Sequence, residues 1–82
     1  MPTVLRSGGY RFFFFSNEGS ESPHIHVEHG ENYAKFGLGP VRLLRSVGFN
    51  SSELNELRGI IEGRERLFKE KWHEHFGGKK RS

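Results

Sequence analysis

Four consecutive phenylalanines, Phe12 to Phe15, leave few folds open to this chain. In a β-strand, successive side chains alternate between the two faces of the sheet. Two of the four rings then lie on each face, and both faces need a cover that excludes water. The sequence therefore predicts a strand at Tyr10 to Ser16 in a sheet with one face under a helix. The sequence leaves open what covers the other two rings. The alternatives are a second small core, a protein partner and stacked bases.

Short segments with turn signals surround this strand. Thr3 to Arg6 is a further strand candidate, joined to it by the turn-forming pair Gly8-Gly9. His24 to Glu28 and Tyr33 to Gly37 alternate polar and apolar residues around a loop at His29 to Asn32. Together these segments predict an antiparallel sheet in the first half of the chain.

The last two segments, paired as a hairpin, have one apolar and one polar face. The facing pairs are Glu28–Tyr33, Val27–Ala34, His26–Lys35, Ile25–Phe36 and His24–Gly37. The apolar face holds Ile25, Val27, Ala34 and Phe36. The polar face holds His24, His26, Glu28, Tyr33 and Lys35. We expect the apolar face beneath the helix and the functional surface on the polar face.

The second half of the chain has helical spacing. Asn50 is a cap candidate, and Glu53 stands in the capping-box position. Apolar residues then recur at Leu54, Leu57, Ile60, Ile61, Leu67, Phe68, Trp72 and Phe76. The predicted fold class is α+β, with a small antiparallel β-sheet in the N-terminal half and one long C-terminal helix packed on one face.

We expect one domain at residues 1–77 and a disordered basic tail at residues 78–82. The segment Val41 to Val47 fits neither the strand period nor the helix period cleanly, so both assignments stay open. Arg64 falls within the apolar stripe of the predicted helix, between Ile61 and Phe68. It is expected either to extend its charge to solvent or to meet a carboxylate.

The amino-acid composition excludes several classes of site and of partner. The chain has no cysteine, which excludes disulfides and thiolate zinc sites. No apolar run approaches the ~20 residues that span a bilayer, and no signal peptide is evident, so a cytoplasmic location with no membrane partner is expected. The net charge of +3 mildly favours an acidic partner such as nucleic acid.

The pair His24 and His26 carries the main functional signal. Metal-independent RNA cleavage needs an acid, a base and cations for the phosphate. His26, His24 and Lys35 are the candidates for these catalytic roles. Four cations are candidates for nucleic-acid contacts: Arg11, Lys35, Arg42 and Arg45.

Two other interpretations of the histidines stay open. One is metal binding, but Glu28 lies ~13 Å from His24 along a strand, so a third ligand would have to come from elsewhere. No metal site and no cofactor are therefore predicted. The other is that the histidines pair with nearby glutamates and only shape the loop.

Several segments occur in a characteristic order: MPTVLR, YRFFFFSNE, PHIHVE, AKF, PVRL, GF before the capped helix, and Trp72 with Phe76 at its end. This succession, which extends to Gly77, resembles the small bacterial family catalogued as domain of unknown function 4160. PHIHVE is its most specific element. The chain departs from the family pattern at Ser22, where a second proline is frequent, and at Gly37, where an aromatic residue is common.

The resemblance implies a toxin-like component of a toxin–antitoxin pair, with His24 and His26 as active or binding residues. Together with the histidine and lysine residues of the polar face, the basic net charge and the surplus aromatic rings, it leads us to expect a protein that acts on or binds RNA, as a ribonuclease or without catalysis, and is held inactive by an antitoxin-like partner. The alternative is a non-enzymatic module that binds protein or nucleic acid. A metal-dependent enzyme using the histidine pair is the third hypothesis, and association between copies of the chain stays open.

Overall fold

The structure is a computed structural model that describes residues 3–14 and 22–77, the last two by their backbone alone. Within these residues the elements are β1 Thr3–Ser7, β2 Tyr10–Phe13, β3 His24–His29, β4 Asn32–Gly37, β5 Arg42–Val47, α1 Ser51–Gly63 and α2 Glu65–Trp72. A π-helical turn at His73–Gly77 follows α2. Phe15 and the predicted tail at residues 78–82 lie outside the described residues. Neither described helix combines the length and the apolar character needed to cross a membrane.

The strands form one antiparallel sheet in the order β1-β2-β3-β4-β5. All five predicted β3–β4 pairs are present, from His24 opposite Gly37 to Glu28 opposite Tyr33. The register prediction is confirmed. Its physical basis is that a slip by one residue would turn Ile25 and its apolar neighbours away from the core. The predicted turn at Gly8-Gly9 is also confirmed, with φ angles of 57° and 87° that favour glycine in a tight hairpin turn.

The ambiguous segment at residues 41–47 contains a strand. β5 pairs with β4, but the register shifts between Lys35 and Phe36. Phe36 faces Leu43 and Lys35 faces Arg45, so Leu44 is an extra residue in the ladder. This bulge interrupts the alternation of side chains, which explains why the sequence followed neither period.

The core fills one face of the sheet under both helices. It includes Phe12, Phe14, Ile25, Val27, Ala34, Phe36, Leu57, Ile61, Phe68 and Trp72. Phe12 stacks on Phe68 with ring centroids 5.5 Å apart, and Phe14 meets Trp72 edge-on at 5.2 Å. The prediction that two of the four consecutive phenylalanines join the helix-covered core is confirmed for Phe12 and Phe14.

The predicted single long helix is wrong, although the α+β class holds. The helix starts as expected, with a complete capping box between Asn50 and Glu53. It breaks at Arg64, whose φ of −125° and ψ of 19° are not helical. Gly63 lowers the cost of the break, since glycine is about 1 kcal/mol poorer than alanine inside a helix.

The break also keeps the charge of Arg64 out of the apolar stripe. The Arg64 N–H bonds the Ile61 carbonyl at 3.0 Å, and the Arg64 carbonyl accepts the first bond of α2 from Phe68 at 3.0 Å. Arg64 is exposed, whereas Ile61 and Phe68 on either side are fully buried. A continuous helix would direct Arg64 towards the core, so the interruption takes a guanidinium into water.

Candidate functional site

All six predicted site residues lie on the polar face, which is the face of the sheet opposite the helix-covered core. Pairing across the strands arranges this face in three rows. The first row is His24, Gly37 and Arg42, the second is Phe13, His26, Lys35 and Arg45, and the third is Arg11, Glu28, Tyr33 and Val47. The sheet thus brings the histidines, the lysine and the arginines together on one surface.

His26 is packed into this face rather than exposed on it. Only 2% of its surface is accessible. Its ring stacks on Phe13, with centroids 5.4 Å apart, and on Tyr33, at 5.8 Å. The Tyr33 hydroxyl lies 2.7 Å from Nδ1, within hydrogen-bonding distance. A general acid or base needs a substrate proton within about 3 Å, and the burial of His26 does not admit one in this conformation.

His24 is equally buried, at 2% exposure. Its Nδ1 lies 2.8 Å from the Ser22 carbonyl oxygen. Because a carbonyl only accepts, this bond requires the proton on Nδ1. The ring meets His26 edge-on at 5.0 Å and packs against Trp72 at 4.9 Å. His24 therefore joins the end of α2 to the polar face of β3.

A cleft of about 290 Å³ opens beside His24, and we call it the His24 cleft. Lys35 and Arg42 provide its two cations. The remaining lining is Ser22, Pro23, Gly37, Leu38, Gly39, Pro40 and Leu44. A Cβ atom at Gly37 would lie 3.5 Å from Arg42 Cγ, so the missing side chain leaves space at the centre of the cleft.

Positive charge is concentrated along this side of the polar face. Arg45 stands opposite Lys35 across β4 and β5, and like charges in facing positions are unfavourable unless something compensates them. Within residues 3–14 and 22–77, neither Arg42 nor Arg45 takes part in an ion pair. Arg42 and Arg45 are therefore suited to bind an anionic group on this side of the polar face.

Two other clefts of the described chain have mixed charge. A cleft of about 330 Å³ near Phe14 contains Lys71 and Glu74, which pair with each other at 3.6 Å. A shallow depression along α2 combines Glu65 with Lys69, which pair at 3.3 Å. In the His24 cleft, by contrast, both charged lining residues, Lys35 and Arg42, are cations.

Arg11 lies on the polar face but away from the His24 cleft, and its interactions hold the sheet together. Its guanidinium bonds Glu28 at 2.8 Å and Thr3 Oγ1 at 2.9 Å, and covers the Phe13 ring at 4.5 Å from the centroid. The second face of the phenylalanine run is thus covered, at Phe13, by Arg11 and His26. Phe13 is only 3% exposed, so it offers no ring face for a stacked base.

No group of three potential metal ligands comes together anywhere in the described ranges.

The sequence analysis missed Leu44 and the bend at Gly39-Pro40 as walls of the His24 cleft. The bulge and the bend that place them follow no simple period. Gly37 did carry a signal, since a glycine opposite His24 in a strand marks a place left open for another group.

Comparison with known proteins gives a family match. A family model described as a domain of unknown function (DUF4160) matches residues 9–73, which is most of the 82-residue chain. The matched range contains both histidines, the His24 cleft and both helices. No curated protein and no solved structure matches the chain. The chain belongs to the DUF4160 family.

Proposed function

We propose that this chain binds RNA through phosphate groups at the His24 cleft, as the toxin-like component of a bacterial toxin–antitoxin pair. The observation that carries the proposal is the group of three cations, Lys35, Arg42 and Arg45, beside an open cleft on the polar face. Phosphate contacts from lysine and arginine supply most of the affinity in binding that does not depend on base sequence.

The geometry favours binding over hydrolysis. His24 and His26 are both 98% buried, and an identified partner already occupies Nδ1 of each ring. Base stacking on Phe13 is disfavoured too, since its ring lies beneath Arg11. The RNA is therefore held by its backbone, and the histidines serve to support the strand that carries the cleft.

The number of cations sets the expected salt dependence. Each phosphate neutralised on a single strand contributes about −0.7 to the slope of log affinity against log salt concentration. Three contacts give a slope of about −2. Affinity should then fall roughly 20-fold between about 50 and 200 mM salt.

Fluorescence anisotropy with a labelled single-stranded RNA of about 12 nucleotides tests the proposal. The double variant Arg42→Ala/Arg45→Ala should bind more weakly, and its slope should be shallower by about 1.4. The matched control is Arg66→Ala/Lys71→Ala, which removes the same charge from α2, where both residues are exposed. Equal slopes for the two variants would refute binding at the cleft.

Induced expression in bacteria tests the toxin-like part of the proposal, which the family resemblance supports. The wild type should arrest growth, and Arg42→Ala/Arg45→Ala should not, with circular dichroism to establish that the variant folds. Arrest by both proteins would separate toxicity from the cleft. RNA cleavage that is lost in His24→Ala, with the fold intact, would overturn the binding function in favour of catalysis.

A further inference from the structure

β5 presents the exposed large apolar side chains of the described chain. Leu43 is 38% exposed, Leu44 47% and Val47 48%. β5 is also the last strand of the sheet, so one side of its backbone pairs with β4 and no strand of the described residues pairs with the other. An edge strand of this kind is a template for an extended segment from another chain.

The helix side of this edge has an apolar cavity. About 220 Å³ of space lies between β5 and α1, with Phe36, Leu43 and Leu54 as its apolar lining. Polar groups complete the rim: Ser51, Asn55 and Arg58. Leu43 faces Phe36 across the ladder, so a strand added outside β5 would bring its own side chains next to this cavity.

The polar-face side of the same edge is cationic. Arg42 and Arg45 project on that side of β5, and within the described ranges neither has an acidic partner. Alternate residues of an added strand face opposite sides of the sheet. One set would meet the apolar cavity and the other set would meet the two arginines.

We propose that the outer edge of β5 docks an extended segment of another protein in which apolar and acidic residues alternate. The apolar residues enter the cavity at Leu43 and Leu54, and the carboxylates pair with Arg42 and Arg45. A second copy of this chain fits less well, because pairing two β5 strands would gather four arginines at one junction. Such crowding of like charge is unfavourable.

The features that protect edge strands make this docking selective. The bulge at Leu44 and the two arginines discourage indiscriminate pairing with neutral strands. An acidic segment instead gains from the same arginines. β1, at the other edge, exposes no large apolar side chain, so the docking surface is confined to β5.

Docking at β5 has a consequence for RNA, and this step rests on the proposed function. The carboxylates of the docked segment and the phosphates of RNA would both use Arg42 and Arg45. The segment would then displace RNA by competition. Docking itself requires only the edge, the cavity and the charges, and it holds whether or not RNA binds.

Two labelled peptides of about eight residues, one alternating valine with glutamate and one alternating valine with lysine, test the docking. The wild type should bind the glutamate peptide at least tenfold more tightly than the lysine peptide. Arg42→Glu/Arg45→Glu should reverse that preference. Leu43→Glu should weaken binding of the glutamate peptide at least tenfold, and it should leave RNA binding intact because Leu43 faces the helices. Circular dichroism establishes that each variant is folded.

Three outcomes would overturn the inference. One is no binding of the glutamate peptide up to about 1 mM. Another is binding that neither Leu43→Glu nor the charge reversal alters. The third is a wild-type dimer in analytical ultracentrifugation that Leu43→Glu dissociates, which would assign the edge to a second copy. Loss of RNA binding in Arg42→Ala/Arg45→Ala bears on the His24 cleft alone, so the two proposals fail separately.

Discussion

Replacing His26 by alanine tests whether this imidazole stabilises the fold or performs chemistry. The ring is buried, stacks on Phe13 and Tyr33, and lies 2.7 Å from the Tyr33 hydroxyl. Truncation of a buried side chain of similar size costs about 2–5 kcal/mol, and loss of a hydrogen bond costs about 1 kcal/mol. We expect the free energy of unfolding to fall by about 3 kcal/mol, from a total of roughly 4–12 kcal/mol for a chain of this length.

Urea unfolding, followed by the fluorescence of the single tryptophan, Trp72, measures this loss. With a urea dependence of about 1 kcal/mol per molar for a small domain, the midpoint should fall by about 3 M. Tyr33→Phe removes only the hydroxyl and should lower the midpoint by about 1 M. The matched control is His73→Ala, the same substitution at an exposed position, which should stay within about 0.5 kcal/mol of the wild type.

An unchanged midpoint in His26→Ala would refute the structural role of His26. If that stable variant also lost growth arrest or an RNA-cleaving activity, His26 would have to act on substrate after the polar face opens. A loss of stability shared equally by His26→Ala and His73→Ala would show that the assay reports a general effect of histidine removal instead of burial.

Three smaller perturbations follow from other contacts. Burial raises the pKa of Tyr10 above its ordinary value of 10.0, and the bonded Glu56 carboxylate raises it further. The neutral phenol is thus favoured in the folded state, so its contribution to stability is complete below pH 10 and is lost as the pH rises towards the raised pKa. Urea midpoints measured between about pH 8 and 11 should fall less steeply for Tyr10→Phe; an identical slope would contradict this. Asn50→Ala removes the side-chain half of the capping box and should lower the free energy of unfolding by about 1 kcal/mol, whereas Ser52→Ala should change it little. Gly37→Val places a strand-compatible side chain in the His24 cleft without removing charge, and RNA affinity should fall about fivefold with stability unchanged.

Most of the sheet could be predicted from sequence because alternation and turns are local signals. The β3–β4 register follows from the requirement that Ile25 and Phe36 share the buried face. The same parity places His24, His26 and Lys35 on one surface, so this part of the polar face was predictable. Arg42 and Arg45 are three residues apart, and only the bulge brings both of them to that face. The bulge at Leu44 was not predictable, because an extra residue erases the alternation that would reveal it.

Burial on the polar face depends on distant residues, and this limits what the sequence can show. His26 is covered by Phe13 from β2, and His24 by Trp72 from α2, 48 positions further along the chain. The helix break likewise depends on whether Arg64 would have to enter a core that only the folded chain contains. Local spacing shows which face a side chain occupies, and tertiary packing decides whether solvent or a substrate can reach it.

The measurement that tests the central claim most directly is titration of the isotopically labelled wild type with the short single-stranded RNA, monitored by amide chemical shifts in two-dimensional nuclear magnetic resonance spectra. RNA held by its phosphates at the His24 cleft should shift the amides around Lys35, Gly37, Arg42 and Arg45, and the shifts should vanish as salt is raised. Shifts confined to α1 and α2, or none at an RNA concentration of about 1 mM, would contradict the claim that this cleft is the functional surface.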